Sequence, residues 1–218
     1  MNSKEKNLQD EYVKIVAVEN GLHILPDSSK VWMKKGSSIR YNKAFNEQRN
    51  VWLSGNSLFE VTTQKGHPFR VYIEKAMIEV KGTCFDIHQD SKMKKSEIIL
   101  YKGRINFTPE NKEVIEMFPH QKIVYRTEEG EISKENIKNI DWENGKFYFK
   151  ELPLIQLIGT INNMYNSHIR LDVDSQQIKS AFTGNIRYEE SLKEVLQKIC
   201  YSLDMRLREQ ENELIIYK

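Results

Sequence analysis

The fold is decided by three short strand patterns: RNVWLSGNSLFEV at residues 49–61, HPFRV at residues 67–71 and IEVKGTCFDI at residues 78–87. Branched and aromatic residues, which favour strands, recur in all three patterns. Gly55 and Gly82 interrupt two of them, and a glycine inside a strand usually marks a bulge or a close backbone approach. The stretch therefore predicts three strand segments, with a bulge or a close backbone approach at each of the two glycines.

Further strand patterns flank this stretch and extend over residues 12–126. Turn residues such as Asn20-Gly21 separate them, because glycine adopts the positive φ that tight turns require. About a dozen short strands at intervals of about 8–12 residues are typical of an all-β domain. No helical pattern interrupts them. The residues predict an all-β domain and leave a sandwich, a barrel and a solenoid open as architectures.

The hydrophobic period changes after Trp142. A strand pattern, KFYF at residues 146–149, precedes apolar residues at helical spacing over residues 154–165, which predicts an amphipathic helix. A second helix is predicted after Ser191, because Ser191 and Glu194 have the spacing of a capping box. With the strands around them, the two helices give the order β-α-β followed by β-α-β-β.

These patterns divide the chain into four segments. We predict a flexible leader at residues 1–11, an all-β domain at residues 12–126, a linker at residues 127–141 and an α+β domain at residues 142–218. The linker is rich in glutamate and lysine, has few apolar residues, and has room for one short helical turn. The predicted fold class is therefore mainly β with an added α+β domain.

Composition and charge exclude several classes of protein. The 33 basic and 31 acidic residues give a formal net charge of +2, so the chain lacks the strongly basic character that is typical of nucleic-acid binding. No apolar run of about 18 residues is present, and no signal peptide is visible. Cys84 and Cys200 are predicted to be small buried apolar groups, with an inter-domain disulfide as the alternative.

We find no arrangement of residues that predicts a catalytic, cofactor or metal site. The five histidines lack metal-ligand spacing and are predicted to lie at the surface or at strand edges. Asp172 and Asp174 could hold a cation, but calcium needs further oxygen ligands. The glycine motifs of nucleotide-binding proteins and the nucleophile motif of hydrolases are missing as well. The chain is therefore predicted not to be an enzyme.

The aromatic residues of the all-β domain allow two interpretations. Rings in strand patterns usually belong to the core, because each ring buries a large apolar area. A sugar-binding platform would use the same residue types. Trp32 and Trp52 are the two side chains whose exposure distinguishes these interpretations.

The ordered motifs resemble those of the FecR family of anti-sigma regulators, in which R-x-V-x-L-x-G-E-A-x-F-x-V precedes P-F-x-V and V-x-G-T-x-F-x-V. Asn56-Ser57 stands in place of Glu-Ala, Ser28 in place of the glycine of an L-x-D-G-S turn, and His120 in place of the glycine of a P-G-Q turn. The C-terminal domain is similar to the STN domain of secretins and of transducing outer-membrane receptors, as found in FecR proteins of the Bacteroidetes type. The resemblance favours a solenoid-like architecture for the all-β domain.

The resemblance implies the periplasmic region of a transmembrane anti-sigma regulator. In that family a cytoplasmic segment holds an extracytoplasmic-function sigma factor, and one transmembrane helix tethers the periplasmic region to the inner membrane. The periplasmic region receives the signalling domain of a TonB-dependent outer-membrane transporter, and a site protease then cleaves the regulator. This chain would reach the sigma factor only through the missing cytoplasmic segment, and residues 1–10 would continue the transmembrane helix.

Partner binding is expected to use sheet edges of the α+β domain, because an exposed edge can accept a strand from another protein. We predict two candidate strands, at residues 181–188 and 213–217. Their candidate contact residues are Ala181, Phe182, Thr183, Ile186, Tyr188, Leu214 and Ile216. Such a region is expected to be a monomer or a weak dimer.

Two other functions stay open. A carbohydrate-binding β domain with an accessory α+β module would show a solvent-facing aromatic pair. A secretin-like or receptor-like assembly domain would associate into rings.

Overall fold

The structure is a computed structural model that describes residues 11–174, 176–210 and 213–218. The predicted leader at residues 1–11 lies outside the described residues, apart from Glu11. The chain divides into two compact units, with the boundary between Ile137 and Lys138. No helix in the described ranges is long and apolar enough to cross a lipid bilayer.

The first unit contains two seven-stranded sheets. In spatial order, sheet I consists of β1 (Tyr12–Val16), β4 (Ser38–Asn42), β5 (Arg49–Ser54), β7 (Phe69–Ile73), β8 (Ala76–Val80), β11 (Ile105–Pro109) and β12 (Ile115–Met117). Sheet II consists of β14 (Glu131–Asn136), β13 (Gln121–Arg126), β10 (Lys95–Lys102), β9 (Cys84–Asp90), β6 (Ser57–Glu60), β3 (Lys30–Met33) and β2 (Gly21–Ile24).

The chain passes back and forth between these two sheets. After β1 in sheet I, β2 and β3 lie in sheet II, and β4 and β5 return to sheet I. β6 then crosses to sheet II before β7 comes back to pair with β5. Because β6 intervenes in the other sheet, β7 runs parallel to β5, with Val71 opposite Val51.

The two sheets of the first unit pack face to face around one hydrophobic core. Residues from both sheets belong to the same buried cluster, among them Ile39 and Val51 from sheet I and Phe59 and Phe85 from sheet II. Alternate residues of β5 point into this core, as expected for a strand at a sheet–sheet interface. The first unit is therefore sandwich-like. The predicted fold class, a solenoid-like or sandwich-like all-β domain followed by an α+β domain, is confirmed.

The predicted linker at residues 127–141 is largely folded. It holds β14, which pairs with β13 at the edge of sheet II, and the first residues of a strand in the second unit. β14 is charged and almost wholly exposed. Charged side chains on an edge strand prevent unwanted pairing with other chains. The glutamate- and lysine-rich composition that suggested a linker is thus the composition of an edge strand.

The second unit contains two three-stranded sheets and two helices. Sheet III has the order β15 (Ile140–Glu143), β16 (Lys146–Pro153) and β18 (Ala181–Arg187), and sheet IV has the order β17 (Ile169–Asp172), β20 (Glu213–Tyr217) and β19 (Arg206–Gln210). Helix α1 spans Leu154–Tyr165, helix α2 spans Leu192–Ser202, and a short 3-10 helix spans Gln177–Lys179. The predicted order β-α-β followed by β-α-β-β is observed from β16 to β20, and β15 is an additional strand.

Both predicted helices are present, and their apolar faces are buried. α1 buries Leu157 and Ile161 among others and packs against β16 and β18, while α2 packs against β18 and β19. The capping box is confirmed. The Glu194 N–H donates to Ser191 Oγ at 3.4 Å, and the Ser191 N–H donates to Glu194 Oε2 at 2.8 Å.

Of the two alternatives predicted at the interrupting glycines, a bulge or a close approach, the structure shows close approaches. Gly55 has a φ of +92°, and a Cβ atom there would lie 2.6 Å from Ser37 Oγ. A Cβ atom on Gly82 would collide with the Thr63 side chain. Only glycine therefore fits at these two positions without a shift of the neighbouring segment.

Arg49, the first residue of the fold-deciding stretch, lies in the interior. Its side chain pairs with the equally buried Asp27, with 2.9 Å between Nη1 and Oδ2. The guanidinium group also donates to the carbonyl oxygens of Thr62 and His67. Asp27 accepts hydrogen bonds from the N–H and hydroxyl groups of Ser29. This network joins β5 to the loop before β3 and to the loop after β6.

Candidate partner-binding site

The first predicted partner-binding strand, β18, lies at an edge of sheet III. It pairs with β16 on one side, and no strand in the described part of the chain pairs with its other side. The unpaired side of an edge strand presents N–H and C=O groups that can bond to a strand from another chain. The backbone of β18 is therefore a candidate binding site.

Side chains already cover the C-terminal end of this edge. The Asn185 carbonyl oxygen accepts a hydrogen bond from Lys198 Nζ at 3.3 Å, and the Arg187 N–H donates to Glu190 Oε2 at 2.8 Å. Lys198 and Glu190 also form an ion pair, with 2.6 Å between Nζ and Oε1. We call Glu190 and Lys198 the guard pair, because an incoming strand would have to displace it.

The N-terminal end of the β18 edge is more accessible. The Leu154 N–H donates to the Ser180 carbonyl oxygen at 2.9 Å, so these two residues form a bonded pair across the sheet. Bonded and non-bonded residues alternate along an antiparallel strand. The backbone groups of Ala181 and Thr183 therefore point away from β16, and residues 181–183 are the open part of the edge.

The predicted contact residues of β18 differ in what they can offer to a partner. Phe182, Ile186 and Tyr188 are buried in the second unit, whereas Ala181 and Thr183 are exposed. A partner at β18 would therefore contact its backbone and the two exposed side chains.

The second predicted strand, β20, lies in the middle of sheet IV. It is parallel to β17 on one side and antiparallel to β19 on the other, so it has no open edge for strand addition. Ile216 is fully buried and Leu214 is partly exposed. Their role in partner binding stays a prediction, and it would have to depend on side chains alone.

A groove that the sequence did not predict lies beside Leu214. It has a volume of about 890 Å³ and is bordered by α2, β19 and β20. Apolar side chains in its lining are Leu192, Cys200, Tyr201, Met205, Leu207 and Leu214. Tyr201 is 91% exposed. Its exposure could have been predicted from the sequence, because it falls outside the apolar face of α2. Because β19 is one of the two edge strands of sheet IV, an extended segment could lie along β19 and place a side chain in the groove.

Sheet II contains a buried polar cluster that includes His88, a residue predicted to lie at the surface or at a strand edge. His88 is buried, and its Nε2 atom lies 2.8 Å from Asp86 Oδ2. Burial alone would lower the pKa of His88, but the charges of Asp86 and Glu97 outweigh burial and raise it above its ordinary value of 6.5. The predicted surface or edge position is therefore wrong for this residue. The two-residue spacing on a strand, which puts both side chains on one face, could have indicated the pair.

No group of three or more potential metal ligands occurs among the described residues. Cys84 and Cys200 are free, so the disulfide alternative is not formed. Burial raises the pKa of both thiols, to about 11 for Cys200, and at neutral pH neither is the thiolate that a nucleophile requires.

The surroundings of the two tryptophans bear on carbohydrate binding. Trp32 is 9% exposed. Trp52 lies on the outer face of sheet I, where it stacks on Tyr72 from β7 with 5.2 Å between ring centroids. Arg40 approaches from β4, on the other side of β5, with its guanidinium carbon 4.9 Å from the Trp52 centroid. Because stacking on a sugar needs an open ring face, this geometry disfavours a carbohydrate platform at either tryptophan.

Comparison with protein-family models gives two matches. Residues 20–113 match the FecR protein family, and residues 146–217 match the FecR C-terminal family. One match lies in each unit, and together they cover well over half of the chain. A search of curated proteins found no match.

Two solved structures are similar to the chain over nearly its whole length. Both are crystal structures of a candidate anti-sigma factor from Parabacteroides distasonis ATCC 8503. One shares 26% sequence identity with a TM-score of 0.60, and the match covers 95% of this chain and 99% of that chain. The other shares 27% identity with a TM-score of 0.61, and the match covers 94% and 99%.

Proposed function

This chain belongs to the FecR family of anti-sigma factors, and on that premise we propose that it is the periplasmic, signal-receiving region of such a regulator. It binds the signalling domain of a TonB-dependent outer-membrane transporter. The signal then passes to an extracytoplasmic-function sigma factor through a cytoplasmic segment, after cleavage by a site protease. A transmembrane helix tethers the region to the inner membrane.

The observation that carries the proposal is the open edge of β18 at residues 181–183. Strand addition at such an edge derives affinity from backbone hydrogen bonds and specificity from alternate side chains. The proposed partner is a small α+β domain as well, so a strand from its own sheet edge could extend sheet III. The exposed side chains of Ala181 and Thr183 would then contact neighbouring side chains of the added strand.

The groove beside β19 supports a second contact on the same unit. Its lining combines buried Met205 with partly exposed Leu207 and Leu214, and exposed Tyr201 stands at its rim. In protein–protein interfaces, tyrosine is one of the residue types that contribute most of the binding energy, and apolar pockets are the sites that such side chains fill. In this proposal Leu214 contacts the partner through its side chain, as predicted from the sequence.

The proposal predicts that Ala181→Pro weakens binding of the transporter signalling domain. Proline has no N–H, and the Ala181 N–H points away from β16, so the substitution removes a hydrogen bond to the added strand but none within sheet III. We expect the dissociation constant to rise about tenfold. Isothermal titration calorimetry with the signalling domains of transporters from the same genome measures this change.

Ala181→Ser is the matched control, because it keeps the N–H and is expected to bind like the wild type. Circular dichroism would show that both variants keep the fold. Failure of every signalling domain to bind the wild-type chain would overturn the proposed function. Equal affinity of Ala181→Pro and Ala181→Ser would overturn strand addition at β18.

A further inference from the structure

Two positively charged side chains face each other on the outer surface of sheet I. Lys14 on β1 lies directly opposite Arg40 on β4, and both are exposed. Like charges at opposite positions of an antiparallel pair destabilise a sheet. Neither side chain forms an ion pair within the described ranges, so no ion pair among those residues offsets their repulsion.

Several other cations on strands of the first unit have glutamate partners. Examples are Lys30 with Glu60, Arg70 with Glu79, and Lys122 with Glu135. Lys95 and Arg126 also lie directly opposite each other, but each of them is near a glutamate, Glu97 and Glu131 respectively.

Aromatic rings fix the position of Arg40. Its guanidinium carbon lies 4.8 Å from the ring centroid of Tyr12 and 4.9 Å from that of Trp52, and Trp52 stacks on Tyr72. These cation–π and stacking contacts connect β1, β4, β5 and β7 on one face. We call Tyr12, Lys14, Arg40, Trp52 and Tyr72 the cationic-aromatic patch.

We propose that the cationic-aromatic patch is a docking surface for an acidic segment of a partner protein. A carboxylate between Lys14 and Arg40 relieves their repulsion and accepts charge-assisted hydrogen bonds from both. An apolar side chain beside the carboxylate packs against the partly exposed edges of Trp52 and Tyr72. Tryptophan, tyrosine and arginine are also the residue types that are enriched where protein–protein binding energy is concentrated. The patch belongs to the first unit, so this inference does not depend on strand addition at β18.

A membrane surface fits the patch less well than a protein segment does. Electrostatic attachment to anionic membranes uses clusters of about four to eight basic residues, whereas the cations of the patch are Lys14 and Arg40. Interfacial tryptophans place their rings at the level of the lipid headgroups, but the Trp52 ring is packed between Arg40 and Tyr72. Charge and packing therefore favour a protein occupant.

The inference can be tested by titration with a short synthetic peptide of alternating aspartate and tyrosine, capped at both ends. Binding is followed through the NMR shift of the Trp52 indole N–H, which is assigned with Trp52→Phe. We expect saturable binding that weakens as salt is raised, because the charges are exposed. A peptide with asparagine in place of aspartate is expected to bind about tenfold more weakly, since it forms no charge-assisted hydrogen bonds.

Variants of the chain locate the binding site. Lys14→Gln combined with Arg40→Gln is expected to weaken binding of the aspartate peptide by about tenfold or more. The matched control is Lys81→Gln combined with Lys102→Gln, which removes the same charge from two other exposed positions of the first unit. This control is expected to leave the affinity unchanged.

The variant Lys14→Glu distinguishes an effect on peptide binding from an effect on the stability of the fold. The new carboxylate would lie opposite Arg40 and replace a repulsive pair with an attractive one, so the melting temperature is expected to rise by about 1–3 °C. Binding of the aspartate peptide is expected to be lost at the same time. A more stable variant that no longer binds cannot owe its loss of binding to unfolding.

Three results would overturn the inference. They are equal affinity for the aspartate and asparagine peptides, equal affinity of the wild type and the Lys14→Gln/Arg40→Gln variant, and a Trp52 shift that appears only with vesicles of phosphatidylglycerol and phosphatidylcholine. The last result would identify the patch as a membrane-contact surface.

Discussion

Arg49 shows, at the scale of single residues, that a motif residue of this chain is structural. An arginine in a motif could bind a partner, but the side chains of Arg49 and Asp27 are both 0% exposed. A buried ion pair is tolerated when its remaining polar groups are bonded as well, and the carbonyl oxygens of Thr62 and His67 accept the other guanidinium hydrogens. Arg49 therefore maintains the fold, and partner binding has to use other residues.

Asp27→Asn is expected to lower the free energy of unfolding by about 3–5 kcal/mol, because it leaves the Arg49 charge buried without a counter-charge. Urea unfolding followed by tryptophan fluorescence measures the loss. The matched control is Lys30→Gln, which breaks the more exposed pair with Glu60 and should cost less than about 1 kcal/mol. Equal losses in the two variants would show that burial of the Arg49 pair has no special effect on stability.

Single residues also show which features could be predicted from the sequence. At Gly55 and Gly82 the sequence predicted a bulge or a close approach, and only the structure distinguishes the two, because the contacting residues Ser37 and Thr63 are distant in sequence. Ser28 and His120 replace glycines of the family pattern and have φ values of +66° and +62°. The backbone therefore keeps the left-handed conformation at both positions, although this conformation costs energy for residues other than glycine. The ring partners of Arg40 could not be predicted, because they depend on which strands pair across the sheet.

The edge strands differ, at the scale of secondary structure, in how they are protected from other chains. β14 carries exposed charged residues along its length. On β18 the guard pair covers Asn185 and Arg187, while the backbone of residues 181–183 stays open. Since a protected edge resists pairing, this difference identifies residues 181–183 as the part of sheet III where an added strand would begin.

Lys198→Met is expected to tighten binding of the proposed signalling domain. The substitution removes the hydrogen bond to Asn185 and the ion pair with Glu190, so an added strand can extend further along β18. One further backbone hydrogen bond corresponds to an affinity about 2–10-fold higher, which calorimetry can measure. Lys138→Met, at an exposed position of the second unit away from the groove, is the control for loss of a positive charge. An affinity equal to that of the control would mean that the guard pair does not limit strand addition.

Helices were predicted more accurately than strand edges, for a physical reason. A capping box and a helical hydrophobic period are local, and both are seen at α2 with Ser191 and Glu194. Whether a strand is central or at an edge depends instead on distant partners. The sequence therefore did not distinguish β20, which is paired on both sides, from β18, and it missed β14 because charged edge strands resemble loops in composition.

At the scale of the whole molecule, the order of the elements was predictable but the pairing of the strands was not. Alternating apolar residues indicate a strand but not its sheet. In the first unit consecutive strands are distributed between two sheets, and β5 pairs with β7 because β6 lies in the other one. The sandwich of the first unit follows from these long-range choices, which local patterns do not contain.

The two units offer chemically different surfaces to other proteins. The first unit presents the cationic-aromatic patch on the outer face of sheet I, where side chains would recognise an acidic segment. The second unit presents the open edge of β18, where backbone groups would pair with a strand. Membership of the FecR family agrees with a regulator that acts through such contacts with other proteins.

The most direct test is hydrogen exchange of the chain with and without a saturating concentration of the proposed partner, the signalling domain of a TonB-dependent transporter. If β18 accepts a strand from that domain, the backbone amides of Ala181 and Thr183 exchange more slowly in the complex, because they become hydrogen-bonded. The amides of β20, which are already paired with two strands, should change little. Unchanged exchange throughout the second unit, with the partner bound, would contradict a partner-receiving role for β18.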